Sequence, residues 1–191
     1  MDHTALHNYI KQVSKRMVDA DLPLIASCAQ HRILKKGEVL LKEGEMCRTF
    51  YLVEKGHLRT YYNKDGVAIN LNFTFEGEFT TNFKSINNKE GSAFFIEAGE
   101  KSVIWTFNLD SMSAKFADHR PIELFIRRLA VRILFASEEH SNLFKLYTPT
   151  ERYHYIEKNN PTLLQRISLS QLASYIGITR ETLSRIRRKK S

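Results

Sequence analysis

The stretch that most restricts the fold of this chain is "SLSQLASYIGITRETLSRIRRKK", in which two short helical patterns meet at one glycine. Ser168 and Gln171 have the S-x-x-Q spacing of a capping box, so a helix is expected to start there, with Leu169, Leu172, Ala173 and Ile176 turned inward. Gly177 follows where that helix must stop and the chain turn, a position that suits a residue tolerant of positive φ. Thr179 is a good N-cap for a second helix, which buries Leu183 and Ile186 and leaves Arg180, Glu181, Thr182, Ser184, Arg185 and Arg188 outside. Ala173 is small where the two helices come closest, and Ile178 closes the angle between them. Residues Leu169–Arg188 thus satisfy a helix-turn-helix pattern at every apolar position.

The placement of charge says what such a pair of helices would meet. The formal net charge is +8. Up to Phe144 the chain carries 19 Lys and Arg against 18 Asp and Glu, whereas from Lys145 onward 10 basic residues stand against Glu151, Glu157 and Glu181 alone. The excess therefore lies in the last quarter, on a patterned helix, which points to a polyanion partner. Helix-turn-helix units set the exposed N-terminal half of the second helix against base edges in the major groove. Arg180 and Arg185 can each offer a fork to guanine O6 and N7, and Glu181 can accept from cytosine N4. Ser168, Thr179, Lys189 and Lys190 suit phosphates, which fix register without reading sequence. Arg187 lies on a different side of the helix.

Ahead of this region the hydrophobic period changes twice. From Ile33 to Phe107 the chain reads as strands, most clearly in "GHLRTYYNKDGVAINLNFTFEGEF". There Val67, Ile69, Leu71, Phe73 and Phe75 alternate with Ala68, Asn70, Asn72 and Thr74, which predicts a half-buried strand with the first set inward. "NKDG" supplies a hairpin turn, making Leu58–Tyr62 the antiparallel partner. Glycine-punctuated runs such as "KGEVLLKEGE" and "FYLVEKG" add short strands at the spacing of a β-barrel or β-roll. After Pro121, apolar residues recur every three or four positions at Ile122, Phe125, Leu129, Ile133, Ala136 and Leu143, with His140 in the same series. A helix from about Arg120 to Tyr147 would be ~40 Å long. Its stripe could pack on the β domain or form a seam with a second copy of the chain, with Phe125, Leu129, Ile133 and Ala136 as interface residues. The expected class is α+β. Its domains are an N-terminal β-roll with preceding helices (1–117), a dimerisation helix (118–146) and a helix-turn-helix domain (147–191).

Other readings find little in the residues. The N-terminus has no apolar signal core and no window approaches the roughly 20 apolar residues that span a bilayer, so a soluble, cytoplasmic protein is expected. Cys28 and Cys47 are too few for a disulfide framework or a cysteine-held metal cluster, and the seven histidines show no metal-binding spacing. His57 is the only histidine in the roll strands and reads as an exposed strand residue, not a haem ligand. A DNA recombinase would need a serine ringed by arginines near the N-terminus, and Ser14 has only Lys15 and Arg16 beside it. A cyclic-nucleotide-binding regulatory module without working DNA binding is the main alternative, which the intact helix-turn-helix pattern opposes. A regulator without any effector stays open.

A β-roll, a long helix and a C-terminal helix-turn-helix carrying "R-E-T-L-S-R" together resemble the Crp/Fnr family of bacterial transcription regulators. "ASYIGITRETLSRIR" is especially similar to its short Bacteroidetes-type members. The family's pattern matches at Arg180, Glu181, Thr182 and Arg185. The resemblance implies a cyclic-nucleotide-binding-like roll, a double-stranded β-helix. It also implies a homodimer on a pseudo-palindromic operator, RNA polymerase as a further partner, and no enzymatic activity. It places an effector site at Gly77, Glu78, Phe79, Ser92 and Ala93. Where the family's cyclic-nucleotide binders have a phosphate-binding arginine, this chain has Gly91. A buried phosphate would lack its charge-assisted bonds, so cyclic AMP is expected to bind poorly or not at all and no cofactor is implied. The chain ends at Ser191, directly after the second helix, so the wing hairpin of many members is expected to be missing.

Overall fold

The computed structural model describes residues 4–13, 21–116 and 119–188. Two short helices, α1 (Thr4–Val13) and α2 (Leu22–Ala26), precede the strands β1 (Ala29–Leu34), β2 (Val39–Leu41), β3 (Thr49–Lys55), β4 (Leu58–Lys64), β5 (Val67–Thr74) and β6 (Phe79–Thr80). Helix α3 (Phe83–Asn88) then leads to β7 (Phe95–Ala98) and β8 (Ser102–Asn108), which runs into α4 (Leu109–Phe116). The strands form two four-stranded sheets of order β1-β8-β3-β6 and β2-β7-β4-β5. Antiparallel register is set by pairs such as His31 with Trp105 and Tyr51 with Thr106.

Strand β3 shows how this roll is filled. Four successive residues, Phe50 to Val53, are buried, because the alternation of a strand sends them to two different cores. Phe50 and Leu52 join Trp105 and Phe107 against Leu6, Ile10, Leu22, Ile25 and Met112 of the helices. Tyr51 and Val53 face Leu34, Leu41, Leu58, Ile96 and Ile104 between the sheets. The turn between β4 and β5 is the expected one: Asp65 and Gly66 both take positive φ, as a two-residue hairpin connection requires.

The long helix α5 spans Arg120–Leu146, followed by α6 (Pro149–Asn159), α7 (Pro161–Arg166), α8 (Leu169–Tyr175) and α9 (Arg180–Arg188). Among the described residues no helix is long and apolar enough to cross a membrane. The stripe on α5 splits in an unforeseen way. Ile122, Phe125 and Leu129 are buried in the roll's helical core and Ile133 packs partly against it. Phe125 and Leu129 are therefore internal to the chain and are not available as interface residues, and Ala136 is exposed outside that core. The large apolar side chains that α5 leaves exposed are instead Leu124, Val131, Leu134, Phe135, Phe144 and Leu146.

Compact units do not follow the boundaries at 117 and 146. One comprises Met1–Arg59 and Thr74–Leu134; the other comprises Thr60–Phe73 and Phe135–Ser191. Most of the β4–β5 hairpin therefore belongs with the C-terminal helices. The physical reason lies on β5. Asn70, expected on the polar outer face, is 4% exposed, whereas Val67, expected inward, is 64% exposed. Both the Asn70 backbone and its side chain are bonded to α8.

Candidate nucleic-acid interface and the roll site

Helices α8 and α9 form as their sequence dictates. Ser168 Oγ accepts from the Gln171 N–H at 3.2 Å and Gln171 Oε1 accepts from the Ser168 N–H at 3.1 Å, closing the capping box. Leu172, Ala173, Ile176, Leu183 and Ile186 are buried, as are Tyr153, Ile156 and Leu163 of the preceding helices. Gly177 takes φ +68°, and a Cβ there would lie 2.7 Å from the Phe144 ring, so both backbone angle and space require glycine. Arg152 braces the same turn by donating to the Ile176 carbonyl at 2.6 Å.

Thr179 caps α9, its hydroxyl accepting from the Thr182 N–H at 3.2 Å. Arg180, Glu181, Arg185 and Arg188 are exposed, with Thr182 and Ser184 half-buried among them. Thr182 has a role that its spacing did not reveal: its hydroxyl accepts from Arg185 Nη2 at 3.1 Å, holding one side of the guanidinium while the rest faces outward. The helix thus presents Arg180 and Glu181 from its first turn and Arg185 from its last, with the capping Thr179 ahead of them. Lys189 and Lys190 lie outside the described residues.

The expected effector residues are occupied by the roll's own structure. Gly77 turns with φ +80°. A Glu78 carboxylate oxygen accepts from the Phe75 N–H at 2.8 Å, closing that turn. The residue keeps an exposed surface, yet neighbouring protein crowds its carboxylate. Burial is the largest cause and pushes its pKa up, with the Phe75 bond and Arg132 opposing. Phe79 is a core residue packed against Phe107 and Phe125, which removes it from any ligand face. Ser92 is buried, accepts from Asn82 Nδ2 at 2.8 Å and donates to the Phe94 carbonyl at 2.6 Å, so its hydroxyl is spent. Ala93 is exposed and offers no polar group.

Gly91 is more than an absent arginine. A Cβ there would lie 2.6 Å from the Gly44 carbonyl oxygen and 3.0 Å from Gly44 Cα, so the two backbones pass too closely for any side chain. His57 also departs from its expected place. It is 2% exposed, not an open strand residue, with Nδ1 3.2 Å from Glu100 and its ring packed near Phe75. Among the described residues no three His, Cys, Asp or Glu side chains are grouped to hold a metal ion.

Residues 31–119 match the family described as the cyclic nucleotide-binding domain. No curated protein is matched. Among solved structures, the c-di-GMP responsive global regulator CLP of Xanthomonas campestris aligns with TM-score 0.71 and 14% identity over 90% of this chain and 91% of that one. A Eubacterium rectale chain described as a transcriptional regulator of the crp/fnr family gives 0.69 and 21% over 95% and 87%. FixK2 of Bradyrhizobium japonicum gives 0.68 and 21% over 84% and 83%. Residues 31–119 are thus similar to the cyclic nucleotide-binding domain, and the chain that carries them has the fold of Crp/Fnr-type regulators.

Proposed function

We propose that this protein is a dimeric, sequence-specific DNA-binding transcription regulator of the Crp/Fnr type, acting as a binder and not as an enzyme. The observation that carries the reading is α9: a capped helix set by the Gly177 turn, with Arg180 and Glu181 exposed in its first turn and Arg185 exposed in its last. That is the geometry of a recognition helix entering the major groove, with α8 crossing the backbone. Arg180 and Arg185 read guanine, Glu181 reads cytosine, and Ser168, Thr179, Arg188 and Lys189 hold phosphates.

Two-fold symmetry then requires half-sites about 34 Å apart. The exposed Leu124, Val131 and Leu134 on α5, spaced by seven and three residues, are the side chains suited to a seam between two copies. RNA polymerase is the expected further partner, and the cytoplasm, where the chromosome lies, the place of action. The roll does not hold cyclic AMP through an arginine at position 91, since Gly44 closes that position. An effector, if the roll has one, binds unequally to two dimer states.

Selection from a random DNA pool with the purified protein, with and without cyclic AMP, tests the reading. A two-fold symmetric motif enriched equally in both arms is the expected result. A motif seen only with the nucleotide overturns the reading of Gly91, and no motif in either arm overturns DNA recognition by the protein alone.

A further inference from the structure

Strand β5 is the end strand of its sheet, so one row of its backbone groups has no strand partner. At Ala68 and Asn70 a single side chain takes the place of one. The Ser174 hydroxyl of α8 accepts from the Asn70 N–H at 2.9 Å and donates to the Ala68 carbonyl at 3.3 Å. A residue in a parallel neighbouring strand would bond the same two groups, its C=O and N–H playing the parts that one hydroxyl plays here. Asn70 adds a second tie, its side-chain amide donating to the Gln171 carbonyl at 3.3 Å. Phe73 adds a third, its ring meeting Tyr175 edge-on with centroids 5.4 Å apart.

All three ties fall on α8, at Gln171, Ser174 and Tyr175, and the recognition face of α9 stays open. Tyr175 is held from its other side by His140, which stacks on it at 4.2 Å and 14°. The chain passes between the compact units at 59/60, 73/74 and 134/135, so the hairpin is grouped with the helices it grips.

We propose that the β4–β5 hairpin is a positioning element of the DNA-binding unit, latched to α8 by the Ser174 hydroxyl, so that operator affinity depends on hairpin residues that never touch DNA. This rests on the DNA-binding reading above. The latch fixes α8, and α9 after it, against the hairpin within one compact unit, and a symmetric operator demands that arrangement of both copies at once. Non-specific binding, which needs only charge near phosphate, does not depend on it.

The experiment uses the full-length chain, Ser174→Ala, Asn70→Ala, the double variant and Arg185→Ala, with a duplex carrying the selected motif and a scrambled duplex. Amide exchange reads the latch without DNA. In the wild type the Asn70 amide exchanges at least about tenfold more slowly than that of Gly66 at the turn. Ser174→Ala speeds it about tenfold while leaving Leu52 in the roll core unchanged. Ser174→Ala and Asn70→Ala each weaken binding to the selected duplex by about three- to tenfold with the scrambled duplex unaffected. The double variant loses little more than either alone, because both open one latch. An Asn70 amide as fast as Gly66 overturns the latch, and unchanged affinity in Ser174→Ala overturns its positioning role. If the wild type selects no motif and Arg185→Ala behaves identically, the DNA-binding reading has failed and the positioning role with it, while slow Asn70 exchange would still show the hairpin joined to α8.

Discussion

The roll site and the α8–α9 surface contain similar kinds of residue and use them in opposite ways. In the roll, Glu78 and Ser92 direct their oxygens at the chain's own backbone, Phe79 fills the core, and Gly91 leaves no room for a side chain. On α9, Arg180, Glu181 and Arg185 spend little on their own chain and face outward. A polar group already bonded inside the fold must break that bond to serve a ligand, whereas an exposed one exchanges only water. Matching a family's binding residues therefore says less than finding where their hydrogen bonds go.

The largest effect expected of this contrast is structural. Leu129→Ala should cost about 2–5 kcal/mol of unfolding free energy, because its side chain is 1% exposed in the roll core. A change under 1 kcal/mol by denaturant titration would mean that this side chain belongs to an intersubunit seam after all. Gly91→Arg should destabilise by roughly 1–3 kcal/mol through overpacking against Gly44 without creating cyclic AMP binding by calorimetry. Tight binding would show that only the missing cation separated the two sites.

On the open side, Arg185→Ala should lose roughly 1–3 kcal/mol on the preferred duplex and relax preference at one base pair. An equal loss on scrambled DNA would make it a phosphate contact. The smallest effect concerns pH. Burial holds the His140 pKa below its ordinary value, partly offset by the bond to the Tyr175 carbonyl. The unfolded chain then binds that proton more readily, so stability is complete above about pH 6.5 and declines as pH falls through it. His140→Phe keeps the ring and should flatten that slope in melting temperatures; an unchanged slope would assign it to another group.

The local elements were legible because their signals are local. The Ser168–Gln171 box, the Gly177 stop, the Asp65–Gly66 turn and the start of α5 each depend on residues a few positions apart. The errors came where a distant element chose the face. Apolar residues on α5 exceed what one packing face can bury, and "LAVRILF" holds both the core residue Leu129 and the exposed Val131, Leu134 and Phe135. A sharper reading of that surplus could have found the second stripe. Nothing nearby in sequence marks Ser174 as the partner of β5, since it lies 104 positions from Asn70.

By itself, then, the sequence determined where helices and turns begin and end, that two short helices meet at Gly177, and that the positive charge is concentrated in the last quarter of the chain. Tertiary structure decided which side of each periodic element is inside: Asn70 over Val67 on β5, Leu129 over Val131 on α5, and a buried His57. Periodicity specifies that an element has two faces; which face loses its water is settled by what packs against it.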